Sequence, residues 1–200
     1  KSPHTGTIFE SNIGGAFGPE LKFAGYDGIV VTGKADKPVW LRIEDDTVTI
    51  ESAETLWGKG IFETEKILED TVGVGMKSLA IGPAGENLVP FACVGSDAYR
   101  QMGRGGVGTL FGSKNLKAVA VRGTGGVQVA EIGEFWGKVS EHLTGNLMTH
   151  DNQWAKEQGT PMLVEVTNEM GLHATRNFEK GVNSQHRKLG ADAGPDIKVG

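Results

Sequence analysis

Alternating hydrophobic and polar positions predict a β-hairpin early in the chain. Residues 39–51 alternate apolar and polar side chains on both sides of the mostly acidic run 44–47, which supplies the turn. Residues 62–70 then place apolar side chains at helical spacing, whereas 77–81 and 118–121 are short apolar runs typical of buried strands. Strands and helices mix without the regular alternation of a parallel α/β fold, so we predict the α+β class.

The hydrophobic pattern changes well past the middle of the chain. Apolar residues then recur at helical spacing at Ile132, Phe135, Trp136, Val139 and Leu143. A second helix is predicted from Thr160-Pro161 to Gly171, because threonine caps helices and proline favours their first position. We therefore predict a mixed α+β domain over residues 1–126 and the start of a mainly α-helical domain over 127–200. Residues 183–200 have few apolar anchors, and we expect disorder there.

Two glycine-rich stretches form a weak internal repeat. The first is Asn12-Ile13-Gly14-Gly15-Ala16-Phe17-Gly18 and the second is Gly103-Arg104-Gly105-Gly106-Val107-Gly108, an offset of 105 − 15 = 90 residues between Gly15 and Gly105. Each stretch is predicted to lead into a short helix, a tight turn and a short strand, which is 29–31 in the first copy and 119–121 in the second. Glycine loops let backbone N–H groups approach phosphate closely, so the pair fits one phosphate-bearing ligand held from two sides. A purely architectural duplication is the alternative.

Composition narrows the classes of function. Glycine is frequent, at 31 of 200 residues, and is spread through apolar sequence, which indicates tight turns. A net charge of −5 argues against nucleic-acid binding. The single cysteine, Cys93, excludes an internal disulfide framework and a multi-cysteine metal site, and the five histidines lack metal-ligand spacing. Because no apolar run is long enough to span a membrane and no signal peptide is visible, we expect no membrane association and a cytoplasmic protein.

Gly103, Gly105 and Gly108 also match Gly-x-Gly-x-x-Gly, the pattern of dinucleotide-binding folds. That interpretation requires a strand directly before the motif, whereas 96–102 is mostly polar, so the sequence disfavours a nicotinamide site. Arg100 and Arg104 offer guanidinium groups suited to phosphate, with surface ion pairing as the alternative. Asn12 offers polar atoms to a ligand, or serves only as a turn residue.

Several separate blocks of the sequence resemble the tungsten-containing aldehyde ferredoxin oxidoreductases. They follow the order of that family from residue 1 to about residue 181, which makes the set far more specific than one glycine motif. The blocks are KSPHTG (1–6), GGAFGPELKFAGYD (14–27), IGPAGENL (81–88), GRGGVG (103–108), GSKNLKA (112–118), NEMGL (168–172) and RNF (176–178).

The resemblance implies a duplicated α+β domain with two β-sheets, whose halves hold the two pterins of a tungsten or molybdenum bis-pyranopterin cofactor. It also implies that the full-length protein oxidises aldehydes to carboxylic acids and passes the electrons through a 4Fe-4S cluster to ferredoxin. The aldehyde substrate, ferredoxin and the remaining domains of the parent chain are then its partners. A homodimer is compatible with the sequence.

The resemblance also implies which residues hold the cofactor. Seven residues match cofactor-contacting positions: Asn12, Gly14 and Gly15 in the first loop, and Arg100, Gln101, Gly103 and Arg104 in the second. In the family, backbone carbonyls at the Asn12 and Gln101 positions help to hold a magnesium ion that bridges the pterin phosphates. Small residues are frequent where this chain has Gln101 and Met102, so we expect a backbone contact at Gln101 and not a side-chain contact.

The pattern of the family extends beyond both ends of this sequence. By resemblance, another pterin-contacting arginine would precede Lys1, and the cluster cysteines and the proposed acid/base residues would follow Gly200. Cys93 matches no cluster ligand, so we expect a cofactor-holding portion of an enzyme that is inactive by itself. Two alternatives stay open: a non-catalytic phosphate- or nucleotide-binding module that has kept the fold, and a reductive relative that acts on aromatic thioesters.

Overall fold

The computed structural model describes residue 2 and residues 5–193, and the chain divides into two compact units, Lys1–Gln128 and Val129–Gly200. The strands of the first unit are Val39–Glu44 (β1), Thr47–Ser52 (β2), Lys77–Ala80 (β3), Val94–Ser96 (β4), Arg100–Met102 (β5) and Leu116–Arg122 (β6). Its helices are Phe17–Phe23 (α1), Ile61–Val72 (α2), Pro83–Glu86 (α3) and Val107–Ser113 (α4). Lys1, Pro3 and His4, which belong to the first block of the resemblance, lie outside the described residues.

The described strands form one six-stranded mixed sheet in the order β2-β1-β6-β3-β4-β5. The β1–β6 pair is parallel, and the other pairs are antiparallel. The α+β class and the β1–β2 hairpin are therefore confirmed, whereas the expectation of two β-sheets is wrong for the described residues. The β1–β2 hairpin pairs with one edge of β6, and β3 pairs with the other edge of β6 and connects β4 and β5 to it. Backbone hydrogen bonds therefore join all six strands into one sheet.

The internal repeat is confirmed in its loops and helices but not in its strands. Helices α1 and α4 keep the 90-residue offset at both ends, and Gly25 and Asn115, which follow them at the same offset, have left-handed φ values of 94° and 56°. Residues 29–31 form no strand, and Val30 is 91% exposed. The second copy is different because β6 lies between β1 and β3 at the centre of the sheet.

The sheet separates two hydrophobic clusters, and the side chains of β6 alternate between them. Leu116, Val119 and Val121 belong to the cluster that includes Phe17 and Leu21 of α1. Ala118 and Ala120 belong to the other, which includes Leu68 and Val72 of α2. Helices therefore cover both faces, and small alanines face α2, where they leave room for the helix to lie close to the strands.

Lys117 interrupts this alternation and is buried. Val39 pairs with Leu116 and Trp40 with Ala118, so Lys117 is the extra residue of a β-bulge. Its ammonium group donates to Lys59 O at 2.7 Å and forms a salt bridge with Glu86, and the two side chains are 0% and 4% exposed. Burial lowers the pKa of Lys117, and the adjacent Glu86 carboxylate opposes that shift. The pair joins β6 to α3.

The second unit contains helices Ile132–His142 (α5), His150–Glu157 (α6) and Leu163–Glu169 (α7), with a π-helical turn at Leu143–Leu147. The helix predicted at Thr160 begins instead as the 3₁₀ turn Thr160–Met162, with Gly159 at the cap position. Residues 183–193 form two further 3₁₀ turns and Asn183 N–H donates to Asn168, so the expected disorder is wrong there; 194–200 lie outside the described residues. The functions that the sequence predicts for residues 1–126 and 127–200 stay predictions. None of the helices in the part of the chain that the structure describes combines the length and the apolar composition of a membrane span.

Candidate functional site

Two segments, 9–16 and 97–105, lie against each other in opposite chain directions, and each contains part of one glycine-rich stretch. A Cβ placed on Gly105 would be 2.2 Å from the ring of Phe9, and Arg104 N–H donates to Ser11 Oγ at 3.4 Å. Farther along, the guanidinium group of Arg100 would be 3.7 Å from a Cβ placed on Gly14. The fold therefore brings together two loops that are about 90 residues apart in sequence, as expected if both contact one ligand.

The first loop needs glycine at a defined position. Gly15 has φ 105°, a conformation that side-chain-bearing residues rarely adopt, and a Cβ there would lie 2.3 Å from Asp97 Oδ2. Asn12, Gly14 and Gly15 are exposed. Beyond them, Ala16 is the residue from which α1 begins.

The second loop starts on the edge strand of the sheet. Strand β5 contains Arg100 and Gln101, and Gln101 lies opposite Gly95 of β4. Gly103 is exposed, and a Cβ placed on it would have no described atom within 4 Å, so it borders open space. Gly106 and Gly108 are different, because a Cβ on them would meet the carbonyl oxygens of Pro90 at 2.0 Å and Cys93 at 2.4 Å. Of these three glycines, only Gly103 is free to face a ligand.

Both arginines of the predicted site are exposed and available. Neither Arg100 nor Arg104 forms an ion pair within residues 5–193, so the surface-ion-pair alternative is not observed there. The Arg100 guanidinium carbon lies 5.5 Å from the centre of the Tyr99 ring, a cation–π distance. Unpaired guanidinium groups are strong donors to phosphate oxygens.

Backbone donors are also free in both loops. Among the described residues, the N–H groups of Gly14, Gly15 and Gly103 have no acceptor. Exposed N–H groups of this kind form anion-binding concavities. An open cavity of about 640 Å³ adjoins the first loop at Gly15 and the start of the second at Arg100, and its other lining residues are Ala16, Pro19, Lys77, Asp97 and Tyr99.

The seven residues predicted from the sequence all lie on the two adjacent loops. Within the described chain, Asn12 and Gln101 make no hydrogen bond with each other, and their role through backbone carbonyls stays a prediction. The described residues contain no group of three or more His, Cys, Asp or Glu side chains that could hold a metal ion. The exposed arginines and the free N–H groups are the features of these loops that suit a phosphate-bearing ligand.

Sequence reasoning missed Asp97 and Lys77, which line the same cavity. Asp97 lies in the turn between β4 and β5, and Lys77 begins β3. The sequence shows only a polar run before the second loop and the first residue of a strand. A carboxyl group a few residues before a glycine loop was the one available signal, and it is too common to be specific.

A half-buried carboxyl group, that of Glu65, lies behind the same turn. Glu65 Oε2 accepts a hydrogen bond from Ala98 N–H at 3.1 Å, whereas Glu65 Oε1 and the hydroxyl of Ser96 are buried without a partner in the described chain. Burial raises the pKa of Glu65, and Asp97 reinforces that shift. The raised pKa brings its titration closer to neutral pH.

This chain is similar to known proteins over most of its length. A family model described as the aldehyde ferredoxin oxidoreductase N-terminal domain matches residues 1–123. The tungsten-containing aldehyde ferredoxin oxidoreductases of Pyrococcus abyssi and Thermococcus kodakarensis are 49% and 47% identical to it over 186 residues. Each alignment covers 91% of this chain and 30% of the relative, so the chain spans less than a third of their length.

More distant relatives are also similar. The WOR-like subunit of an aliphatic sulfonate oxidoreductase from Pyrococcus furiosus is 41% identical over 138 residues, which cover 62% of this chain and 22% of that protein. Among solved structures, the active site complex BamBC of benzoyl coenzyme A reductase with 1,5 dienoyl-CoA matches with a TM-score of 0.64 and 36% identity. That match covers 74% of this chain and 26% of the other.

Proposed function

Because this chain belongs to the aldehyde ferredoxin oxidoreductase family, we propose that its two glycine loops hold the phosphate-bearing part of a tungsten or molybdenum bis-pyranopterin cofactor. The observation that supports this most is the pairing of the loops, which places the unpaired Arg100 and Arg104 beside free N–H groups. The full-length protein is then an oxidoreductase that converts aldehydes to carboxylic acids and delivers the electrons through a 4Fe-4S cluster to ferredoxin.

The residues present are chemically suited to that group. Arg100 and Arg104 neutralise phosphate charge, and the N–H groups of Gly14, Gly15 and Gly103 donate to phosphate oxygens. Backbone carbonyls of Asn12 and Gln101 are the oxygen donors that magnesium prefers. The net charge of the chain is −5, so attraction to an anion has to come from these local donors and not from the whole surface.

The bound metal would supply the two-electron oxidation chemistry, and the chain would supply binding, orientation and electrostatics. Backbone donors suit this task because they are fixed by the fold and need no reorganisation when the ligand binds. Cys93 is the single cysteine of these 200 residues, so in this proposal the cysteine ligands of a cluster belong to another part of the full-length protein. That requirement agrees with relatives more than three times as long as the matched segment.

A second function is favoured by the structural comparison. The 36% identity to a benzoyl coenzyme A reductase complex makes reduction of an aromatic thioester an alternative for the full-length protein. In that case we assign the two loops the same task of holding a phosphate-bearing cofactor. A non-catalytic phosphate- or nucleotide-binding module is the other alternative, and it predicts phosphate binding without metal.

Purification of the full-length protein after anaerobic growth with tungstate and molybdate tests these possibilities. Metal analysis and pterin fluorescence report the cofactor, and viologen-linked assays compare aldehyde oxidation with benzoyl-thioester reduction. We expect tungsten or molybdenum, pterin and aldehyde oxidation. Protein without metal and pterin would refute the cofactor-binding function and favour the non-catalytic module, whereas thioester reduction without aldehyde oxidation would favour the reductase.

A further inference from the structure

The carboxylate of Asp97 connects the two glycine loops. Its Oδ2 accepts a hydrogen bond from Ala16 N–H at 2.8 Å across 81 residues of sequence. Its Oδ1 lies 3.9 Å from Lys77 Nζ, and the Asp97 side chain is 18% exposed. One side chain of the β4–β5 turn, which leads into the second loop, therefore holds the backbone of the first loop at the point where α1 begins.

The backbone around Asp97 is specialised for this orientation. Asp97 and Ala98 have left-handed φ values of 49° and 60° and form, with Tyr99, the three-residue turn between β4 and β5. Tyr99 N–H donates to Asp97 O at 2.7 Å, and Ala98 N–H donates to Glu65. The turn is thus fixed from two sides, which aims the Asp97 side chain at the first loop and starts β5 at Arg100.

The first loop is shaped to receive this carboxylate. A Cβ on Gly15 would lie 2.3 Å from Asp97 Oδ2, closer than real contacts allow, and 3.2 Å from Arg100 Cγ, which is a tight contact. Glycine at this position therefore lets the carboxylate and the stem of Arg100 pack directly on the loop backbone. Ala16 N–H and the Lys77 ammonium group compensate the charge of Asp97, so the Arg100 guanidinium group is left for another anion.

We propose that Asp97 is a positioning residue that sets the separation of the two loops and, through it, the alignment of their phosphate donors. This inference rests on the proposed function, because it assigns Asp97 a role in cofactor retention. Asp97 does not contact the ligand in this scheme. It fixes Ala16 N–H, which places the preceding Gly14 and Gly15 N–H groups opposite Arg100.

Two substitutions in the full-length protein separate this role from general stability. Asp97→Gly removes the acceptor and suits the left-handed backbone, so it deletes the contact without adding strain. Asp97→Asn keeps an acceptor oxygen, and asparagine also tolerates left-handed φ. Asp46→Gly is the matched control, because it removes an exposed carboxylate from the β1–β2 turn in the same unit.

We expect Asp97→Gly to speed hydrogen exchange at Ala16 and to lower tungsten or molybdenum and pterin content, each by about tenfold or more. Asp97→Asn should retain both within about twofold, because its amide oxygen replaces the lost acceptor. Asp46→Gly should change neither. The unfolding midpoint of the cofactor-free protein should stay within about 2 °C for all three variants, since none of them changes the core.

Three results would overturn the proposal. The first is normal cofactor content and normal Ala16 protection in Asp97→Gly, and the second is an equal loss of cofactor in Asp97→Asn and Asp97→Gly. The third is a loss of cofactor accompanied by a large fall of the unfolding midpoint of the cofactor-free protein. If the unsubstituted protein contains no metal and no pterin, the proposed function fails separately. The exchange rate of Ala16 then decides by itself whether Asp97 fixes the first loop.

Discussion

Replacing Glu86 with alanine should destabilise the first unit far more than removing an exposed glutamate. Glu86 and Lys117 form a salt bridge with side chains that are 4% and 0% exposed. The substitution leaves the Lys117 ammonium group buried with Lys59 O, at 2.7 Å, as its remaining acceptor in the described chain. Gly58 N–H, which donates to Glu86 Oε2 at 2.8 Å, is exposed and can turn to water.

The expected loss of unfolding free energy is about 3–5 kcal/mol, the usual cost of removing one partner of a buried ion pair. The retained bond to Lys59 O favours the lower end, about 3 kcal/mol. Because a tenfold change in an equilibrium constant is about 1.4 kcal/mol, this loss corresponds to roughly 150-fold faster hydrogen exchange of amides that open only when the unit unfolds. Amides 118–121 of the central strand β6 serve as that probe.

Native-state hydrogen exchange measures this change without unfolding other parts of the full-length protein. The matched control is Glu54→Ala, because Glu54 pairs with Lys37 at 3.1 Å while both side chains are more than half exposed. We expect an effect below about 1 kcal/mol there. The double variant Glu86→Leu with Lys117→Met should recover most of the loss, since apolar residues of similar volume replace buried pairs well.

Equal exchange rates in Glu86→Ala and Glu54→Ala would refute the reasoning. That result would mean that the Lys117 ammonium group reaches water or loses its proton at little cost. The pH dependence of unfolding separates these two explanations, because burial lowers the pKa of Lys117 below its ordinary value of 10.5. The folded protein then binds the Lys117 proton less tightly than the unfolded chain does. The contribution of Lys117 to the free energy of unfolding should therefore increase as pH rises from the folded pKa towards 10.5.

Three further predictions concern the loops and their support. Arg104→Ala in the full-length protein should weaken cofactor retention by about 1.5–3 kcal/mol, measured as metal content after dialysis; unchanged content would remove Arg104 from the site. Burial raises the pKa of Glu65, so the free energy of unfolding should fall as pH rises from 4.5 through that raised value. Glu65→Gln should remove this fall, and an unchanged plot of unfolding free energy against pH would contradict the prediction. Gly112→Ala should lower the free energy of unfolding by about 1–3 kcal/mol or more, since the added Cβ would lie 1.9 Å from Gly85 O. Gly137→Ala in α5 should raise it by about 0.5–1 kcal/mol, because a Cβ there meets no atom within 4 Å. Equal shifts of the thermal midpoint in the two variants would contradict this prediction.

Local pattern was sufficient where the structure depends on neighbouring residues. The alternation in 39–51 predicted the hairpin, and helical spacing predicted α2 and α5. The repeat predicted that α1 and α4 share one offset and that a tight turn follows each, and the structure shows left-handed φ values in both turns. These features come from side-chain periodicity and backbone preference within about a dozen residues, which is the range that a single sequence displays directly.

The site residues named from the sequence stay a prediction, and the contacts between the loops could not be predicted at all. Glycine and arginine content identified both loops, and the family resemblance, confirmed by the match over residues 1–123, ordered them. The contact between Asp97 and Ala16 spans 81 residues, and nothing near Asp97 distinguishes it from other surface carboxylates. A long-range hydrogen bond depends on which segments the fold brings together, so no local pattern reveals it.

What the sequence determined by itself is the β1–β2 hairpin, the helices α1, α2, α4 and α5, the loops and helices of the repeat, and the chemistry available in each loop. Only the tertiary structure decided how the elements pair. Residues 29–31 have the apolar pattern of a strand but find no partner strand among the described residues, and Val30 stays 91% exposed. Lys117 has the sequence character of a surface residue but is buried, because the bulge in β6 directs it to Glu86. A strand needs a neighbour for its backbone hydrogen bonds, and a buried charge needs a partner of opposite sign; both are supplied by distant parts of the chain.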